Sequence, residues 1–218
     1  MNKALYFDVL YPLQDRVLGI LRGLETGFYL SGGTAASRGY LHHRFSDDLD
    51  LFVNDQKEFG LWADRLIQAL EAQGDWKVSM SLREQRFARL SLTEGEAVLK
   101  IEMINDVPSH IGALRDDPTL GKIDSPENIL ANKVTALVDR EEPKDLADVW
   151  GFCCRLGLPL APAIEGAGSK AAGIFPADVA RRLCVTTQDD WKLVRWIDPP
   201  DPERYVAELV ELGEKLIL

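Results

Sequence analysis

The spacing of apolar residues divides the chain into a mixed first half and a helical second half. Apolar positions recur at helical intervals over residues 3–26 and 56–73, which predicts an amphipathic helix at each place. A short helix over about 34–41 is expected between them. The remaining runs predict strands over 28–30, 48–53, 76–82, 87–93 and 97–104. The last two strands are joined by a predicted hairpin turn at Glu94-Gly95-Glu96.

Beyond Pro108 the pattern becomes helical. The tripeptide Ser125-Pro126-Glu127 has the composition of a helix start, because Ser caps free N–H groups and Pro fits the first position. Helices are predicted over about 125–138, 143–155, 177–185, 188–197 and 202–217. The segment 157–176 is rich in Gly, Ala and Pro and is predicted to be a loop. These elements predict an α+β protein, with an α/β domain over 1–108 and a helical domain over 109–218.

Composition narrows the class of protein. With 46% apolar and 28% charged residues, the chain is ordinary for a globular protein. No apolar run suits a transmembrane helix or a secretory signal, so a cytoplasmic protein without membrane contact is expected. The three cysteines are odd in number and lack zinc-site spacing, which favours reduced thiols. The net charge of −10 gives no general attraction for DNA or RNA, but it suits a protein that holds divalent cations.

Two acidic residues at the second predicted strand are the first chemical signal. Asp48 and Asp50 lie two residues apart, so their carboxylates are expected on one face, while Leu49 and Leu51 point into a core. Neighbouring carboxylates repel each other unless a cation lies between them. Clustered oxygen ligands suit Mg²⁺ or Mn²⁺. An exposed edge strand would show the same alternation, so the motif depends on its surroundings for meaning.

A glycine-rich turn precedes these acids by about fifteen residues. Ser31-Gly32-Gly33-Thr34 stands between a predicted strand and a predicted helix. Glycines let the backbone approach phosphates closely, and a helix N-terminus presents free N–H groups to them. Carboxylates for a metal and a turn for phosphates are the parts that phosphoryl or nucleotidyl transfer requires.

A third carboxylate would complete a two-metal site. Glu102 is the candidate, because it lies mid-strand and shares one face with Lys100, while Ile101 and Met103 share the other. Asp106, just past the strand, is the alternative third ligand. A solvent-facing glutamate on a half-exposed sheet would show the same pattern.

A second group of charged residues lies in the predicted helical domain. Lys133 stands mid-helix among apolar residues, an unusual place for a charge unless it reaches into a cleft. Lys144, Asp145 and Asp148 lie in the next helix, where the two acids share a face at a spacing of three. Lysine or arginine here could bind a triphosphate, and an aspartate could act as a base toward an attacking hydroxyl. A solvated salt-bridge face is the alternative interpretation.

These motifs together resemble the AbiEii/AbiGii toxin family of nucleotidyltransferases. The resemblance covers about residues 25–155 and rests on Gly32-Gly33-Thr34, the run from His43 to Phe52, Asn132-Lys133, Ala136-Leu137, Arg140, Lys144-Asp145 and Asp148. It implies a DNA polymerase β-like nucleotidyltransferase domain, with a mixed sheet and flanking helices, followed by a helical C-terminal domain. It also implies an active site in the cleft between the domains, which uses a nucleoside triphosphate with magnesium.

The resemblance further implies a role for each matching residue. By this resemblance Asp48 and Asp50 are metal ligands, and the turn at Gly32 and Gly33 with Thr34 holds phosphates. Lys133 and Lys144 contact the nucleotide, and Asp145 is the catalytic acid/base. The predicted catalytic residues are therefore Asp48, Asp50, Lys133 and Asp145. Gly33 stands where many members have Ser, so Ser31 or Thr34 would replace that hydroxyl. Arg44, beside two histidines, and Asp148 are further candidates for binding substrate.

Three functions are compatible with the sequence. The leading one is magnesium-dependent transfer of a nucleoside monophosphate from a nucleoside triphosphate to an acceptor hydroxyl. The resemblance implies tRNA as one acceptor and a role as the toxin of a toxin–antitoxin system, with a cognate antitoxin protein as partner. The second function is a non-catalytic interaction protein that retains the fold. The third is a nucleotidyltransferase for an antibiotic or metabolite, which the acidic charge favours over RNA.

Overall fold

The computed structural model describes residues 3–217, which divide into two compact units. The sheet unit consists of residues 3–35, 46–108 and 114–124. The helical unit consists of residues 36–45, 109–113 and 125–217. No helix of this described part of the chain is both long and apolar enough to cross a membrane.

A mixed sheet, seven-stranded within residues 3–217, forms the centre of the sheet unit. Its strands are β1 (Tyr29–Ser31), β2 (Leu49–Asn54), β3 (Lys77–Arg83), β4 (Phe87–Glu94), β5 (Ala97–Asp106), β6 (Arg115–Asp117) and β7 (Gly121–Ile123). They lie in the order β3-β4-β5-β2-β1-β7-β6. Strand β2 runs parallel to β5 and antiparallel to β1, and β1 runs parallel to β7. The predicted alternation is confirmed along β2, where Leu49, Leu51 and Val53 are buried and Asp50 is not.

Helices complete the sheet unit. They are a π-helical segment at Leu5–Leu10 that leads into α1 (Tyr11–Arg22), a short α2 (Gly32–Thr34), and α3 (Phe59–Glu71). Helix α1 buries Leu13 and Val17, and α3 buries Ala63 and Leu66, as their apolar spacing predicts. Helix α2 continues without a break into the π-helical segment Ala35–Leu41.

The long helical part of the second unit begins with a helix whose N-terminus is capped by Ser125. Its helices are α4 (Pro126–Asp139), α5 (Pro143–Trp150) with a π-helical continuation over Gly151–Arg155, α6 (Leu160–Lys170), α7 (Pro176–Cys184), α8 (Gln188–Leu193) and α9 (Pro202–Glu214). The Ser125 hydroxyl accepts a hydrogen bond from the Asn128 N–H at 3.0 Å, which confirms the predicted cap. Helix α8 ends four residues before its predicted end at 197, because Val194 adopts an extended backbone and Trp196 pairs with Arg44 in a β-bridge.

The prediction of a loop over 157–176 is wrong for most of that segment, because it contains α6. Helix α6 packs against α4 within the helical unit. Gly166 lies at this contact, where an added Cβ would lie 2.1 Å from Cδ1 of Ile111 and 3.3 Å from Cβ of Ala131. The small residues that suggested a loop are therefore the residues that let this helix approach its neighbours closely.

The boundaries of the two units differ from the predicted single division at residue 108. Residues 114–124 contribute β6 and β7 to the sheet, where Ile123 pairs with Leu30 of β1. Residues 36–45 belong to the helical unit, where His43 and Arg44 bond to Asp148 of α5. The segment that joins the glycine-rich turn to the acidic strand therefore packs with the helices rather than with the sheet.

Candidate active site

Asp48 and Asp50 lie at the start of β2 in the sheet unit. Asp48 directly precedes the strand, and both residues are partly exposed, whereas Leu49 between them is fully buried. In the sheet, Asp50 pairs with Ser31 of β1 on one side and with Glu102 of β5 on the other. The buried leucine fixes the strand so that the two acids share the accessible face, as predicted. Their role as metal ligands stays a prediction.

The glycine-rich turn lies directly against one of these carboxylates. Gly32 has a φ of +62°, in the left-handed region that favours glycine. A Cβ at this position would also lie 2.0 Å from Oδ2 of Asp50 and 2.8 Å from its Cγ. Glycine is thus required for both the backbone angle and the space. The start of the helical segment formed by Gly32–Thr34 and its continuation therefore adjoins the acidic face of β2.

The hydroxyls of Ser31 and Thr34 are already used inside the sheet unit. Both residues are fully buried. The Ser31 hydroxyl donates to Oδ2 of Asp124 at 2.6 Å. The Thr34 hydroxyl donates to the main-chain carbonyl of Asp48 and lies 2.9 Å from the Ser46 hydroxyl. These bonds tie the turn to the acidic strand, so the geometry does not support the idea that either hydroxyl replaces the serine absent at Gly33.

Glu102 is held by two cations on neighbouring positions of the sheet. Its Oε1 accepts a hydrogen bond from Nε of Arg89 at 2.7 Å and lies 3.2 Å from Nζ of Lys100. The same Nζ lies 2.9 Å from Oδ2 of Asp48. Partial burial lowers the pKa of Lys100, but hydrogen bonds and charge from Asp48 and Glu102 outweigh burial and raise that pKa. Lys100 therefore remains charged and bridges two of the predicted metal ligands.

The donor set can be compared with the needs of a magnesium ion. Within residues 3–217, no group of three or more His, Cys, Asp or Glu side chains is arranged to hold a metal. Glu102 is turned toward Arg89 and Lys100 instead, so its role as third ligand stays a prediction, as does that of Asp106 at the end of β5. Two carboxylates nevertheless suffice for Mg²⁺, which keeps several waters and takes the remaining oxygens from substrate phosphates. Asp48 and Asp50 fit that requirement, and Asp48 already holds a cation, the Lys100 ammonium.

The charged residues predicted in the helical domain form a buried network around Asp148. This carboxylate is inaccessible to solvent. Arg44 donates to it from Nε at 2.7 Å and from Nη2 at 2.6 Å. Nε2 of His43 lies at 3.0 Å and Nζ of Lys133 at 2.7 Å. Burial favours a raised pKa for Asp148, but the charges of Arg44 and Lys133 outweigh burial and hold that pKa well below its usual range.

Asp145 belongs to the same network. It is also fully buried, with Nζ of Lys133 at 2.8 Å and Nε of Arg140 at 2.9 Å. Burial favours a raised pKa, but the charges and hydrogen bonds of these two cations outweigh it and lower the pKa of Asp145. A carboxylate held by two cations is a weak base, so this arrangement does not support the predicted acid/base role, which stays a prediction.

The predicted substrate-binding cations of the helical unit differ in their accessibility. Arg44 and Lys133 are buried with their guanidinium and ammonium groups on aspartates. Lys144 is about half exposed and forms an ion pair with Glu142 at 2.6 Å. Arg140 is 45% exposed while its Nε reaches Asp145. Lys144 is therefore accessible without any change in the buried network, whereas the guanidinium of Arg140 is already bonded to Asp145, which belongs to that network.

The buried carboxylates make the helical unit sensitive to acid. The pKa values of Asp145 and Asp148 are lower in the folded chain than their usual 3.8, so their stabilisation is complete above about pH 4 and is lost as the pH falls through the folded values. Burial lowers the pKa of His43 below its usual 6.5, which adds a loss that begins below about pH 6.5. We expect urea unfolding, followed by tryptophan fluorescence, to show falling stability from pH 7 to pH 3. Constant stability over that range would contradict this expectation.

Sequence reasoning missed three residues of the sheet unit that shape the site. Asp124 binds Ser31, Lys100 bridges Asp48 and Glu102, and Arg89 holds Glu102. The position of Lys100 two residues before Glu102 placed both on one face, and that was the available signal for Lys100. Nothing in the local sequence around Asp124 points to β1.

Solved structures share the fold at low sequence identity. An H. pylori protein assigned as a nucleotidyltransferase matches with a TM-score of 0.62 and 18% identity, over 99% of this chain and 95% of that chain. JHP933 from Helicobacter pylori matches with a TM-score of 0.59 and 19% identity, over 99% and 92%. MenT4, a nucleotidyltransferase toxin from Mycobacterium tuberculosis H37Rv, matches with a TM-score of 0.65 and 15% identity, over 96% and 83%. The predicted α+β fold, with a mixed sheet and flanking helices, is confirmed.

The sequence itself identifies the family. No curated protein matches the chain in sequence. The family model of the nucleotidyl transferase AbiEii toxin, of type IV toxin–antitoxin systems, matches residues 16–153. This match covers more than half of the chain and includes the glycine-rich turn, the acidic strand and the charged network. The chain therefore belongs to the AbiEii family of nucleotidyltransferase toxins.

Proposed function

We propose that this protein uses Mg²⁺ or Mn²⁺ to transfer a nucleoside monophosphate from a nucleoside triphosphate to an acceptor hydroxyl. The hydroxyl loses its proton as it attacks the α-phosphate, and pyrophosphate is the leaving group. Asp48 and Asp50 hold the metal, and the backbone N–H groups of Gly32 and Gly33 bind the phosphates. When bound, the metal supplies charge stabilisation at the α-phosphate and lowers the pKa of the attacking hydroxyl. The carboxylates orient the metal, and the turn orients the phosphates.

The contact between Gly32 and Asp50 is the observation that carries this proposal. Oδ2 of Asp50 occupies the space in which a Cβ of residue 32 would lie. A helix start rich in glycine favours anions, whereas a carboxylate favours cations. A complex of a metal ion with a triphosphate supplies an anion for the helix start and a cation for the carboxylate.

The roles proposed for the other residues do not depend on the metal and phosphate contacts proposed above. Lys133 and Lys144 as nucleotide contacts, Asp145 as general base, and Arg44 and Asp148 as substrate-binding residues stay predictions. Lys144 is the most accessible of them, because it is about half exposed.

The acceptor hydroxyl belongs to the second substrate of the proposed reaction. We propose tRNA first, because the family resemblance implies it, and a cognate antitoxin as the partner that neutralises the toxin in the cytoplasm. The net charge of −10 gives the protein no general attraction for a polynucleotide, which favours a small acceptor such as an antibiotic or metabolite. The test must therefore include both classes of acceptor.

A labelled-nucleotide transfer assay tests the proposal. The protein is incubated with each of four α-labelled nucleoside triphosphates, with Mg²⁺ or Mn²⁺, and with either total tRNA or a panel of aminoglycosides and metabolites. We expect label to move to one acceptor class and the transfer to stop when EDTA removes the metal, because two carboxylates alone cannot stabilise the charge on the α-phosphate. Isothermal titration with metal and nucleotide provides the control. Neither binding nor transfer would contradict the proposal and favour a non-catalytic interaction protein.

A further inference from the structure

Lys100 contacts two predicted ligands of the metal and carries a positive charge itself. It lies on β5, two residues before Glu102 and on the same face. Its Nζ is 2.9 Å from Oδ2 of Asp48 and 3.2 Å from Oε1 of Glu102. An ammonium group therefore already contacts Oδ2 of Asp48, one of the two carboxylates proposed to hold the metal.

Glu102 and Arg89 keep Lys100 in this position. Oε1 of Glu102 accepts from both Nε of Arg89 and Nζ of Lys100, so one carboxylate oxygen joins the two cations. Arg89 lies directly opposite Glu102 in the β4–β5 pairing. The Glu102 side chain is only 16% exposed, whereas Lys100 and Asp48 are 39% and 37% exposed. Glu102 is therefore better shielded from solvent than the Lys100–Asp48 ion pair, so this ion pair is the interaction that can break.

We infer that Lys100 competes with the divalent cation for Asp48 and so couples metal binding to nucleotide binding. In the protein without nucleotide, the ammonium neutralises Asp48 and repels a second cation, which weakens binding of the metal alone. A triphosphate supplies phosphate oxygens that can pair with the released ammonium. Metal and nucleotide then bind together, and the free protein avoids holding a metal without its substrate.

This inference rests on the proposed function, since it assumes that Asp48 is a metal ligand. It also gives Glu102 a different role from the one predicted from sequence. As an anchor for Lys100, Glu102 is a positioning residue for the site rather than a third ligand. The half-exposed pair contributes little to folding, so Lys100 can be replaced without loss of the fold.

Binding of Mn²⁺, followed by electron paramagnetic resonance of the free ion, tests the inference without measuring catalysis. The Lys100→Met variant is compared with wild type, first without nucleotide and then with a non-hydrolysable triphosphate. Without nucleotide, we expect Lys100→Met to bind Mn²⁺ about fivefold to tenfold more tightly, because a charge a few ångströms away in a partly solvated site is removed. The gain in Mn²⁺ affinity on adding the triphosphate should be smaller in the variant than in wild type.

Two further variants separate the possible failures. Lys77→Met removes the same charge from the exposed strand β3 and should bind Mn²⁺ like wild type. Asp48→Asn should weaken Mn²⁺ binding. If Asp48→Asn weakens Mn²⁺ binding but Lys100→Met does not strengthen it, then Lys100 does not compete with the metal, while the role of Asp48 as a metal ligand is supported. If Asp48→Asn has no effect, the metal site and the competition are both wrong. Circular dichroism confirms that each variant is folded.

Discussion

Replacing Asp50 by asparagine is expected to slow nucleotide transfer by about 10³-fold or more while leaving the fold intact. Asparagine has nearly the same size, so the contact with Gly32 and the burial of Leu49 and Leu51 are retained. The charge that holds the metal is lost, however, and with it several kcal/mol of stabilisation in the transition state. Transfer of label from an α-labelled triphosphate to the acceptor measures the rate, and circular dichroism measures the fold.

A matched control for this variant is Asp64→Asn on α3. It removes one carboxylate from the same unit, at an exposed ion pair with Arg83. We expect wild-type transfer from the control. Transfer at the wild-type rate in Asp50→Asn would contradict the carboxylate mechanism. Expression in a bacterial host adds a second measurement, because a toxin that acts by transfer should lose toxicity with Asp50→Asn. Toxicity that persists in an inactive variant would instead support a non-catalytic contact.

The elements that the sequence predicted are those in which local rules and burial agree. Strand β2 alternates along its length because one side packs into the core, and the period of two is visible in the sequence itself. The start of α4 was predictable because capping is a contact between neighbours in sequence, here from Ser125 to Asn128. The family resemblance then added the fold that these elements build.

The elements that were missed depend on partners distant in sequence. Strands β6 and β7 have three residues each and show no period. Strand β7 joins the sheet through the pairing of Ile123 with Leu30 of β1, and β6 pairs with β7. Helix α6 looked like a loop because Gly166 suits both a loop and a close packing contact. Only the presence of Ile111 at that contact decides between the two, and that presence is a property of the fold.

The candidate site likewise contains some features that local sequence predicts and others that depend on residues distant in sequence. The shared face of Asp48 and Asp50 follows from strand geometry. The partner of Glu102 depends on the exact length of the hairpin turn. The predicted turn at Glu94-Gly95-Glu96 places Ala88 opposite Glu102, whereas the observed turn has two residues, pairs Glu94 with Ala97 and so places Arg89 there. The bond between Ser31 and Asp124 could not have been predicted from spacing, since it joins segments about ninety residues apart through the sheet.

The buried network around Asp148 leads to the largest expected effect on stability. Replacing Asp148 by asparagine is expected to lower the free energy of unfolding of the helical unit by about 3–5 kcal/mol, because it leaves buried cations without their counter-charge. Arg44 loses a two-point ion pair, and Lys133 loses one of its two carboxylates. Urea unfolding followed by tryptophan fluorescence measures this, since Trp150 and Trp196 both lie in this unit, with Trp196 6.1 Å from the ring of His43.

An exposed aspartate of the same unit provides the matched control for Asp148. Asp189 on α8 pairs with Lys192, and its side chain is 85% exposed. Asp189→Asn changes the net charge by the same amount, but it should leave the unfolding midpoint nearly unchanged, because water replaces the lost contact. Equal, small effects of the two substitutions would show that the Asp148 network does not hold the helical unit together.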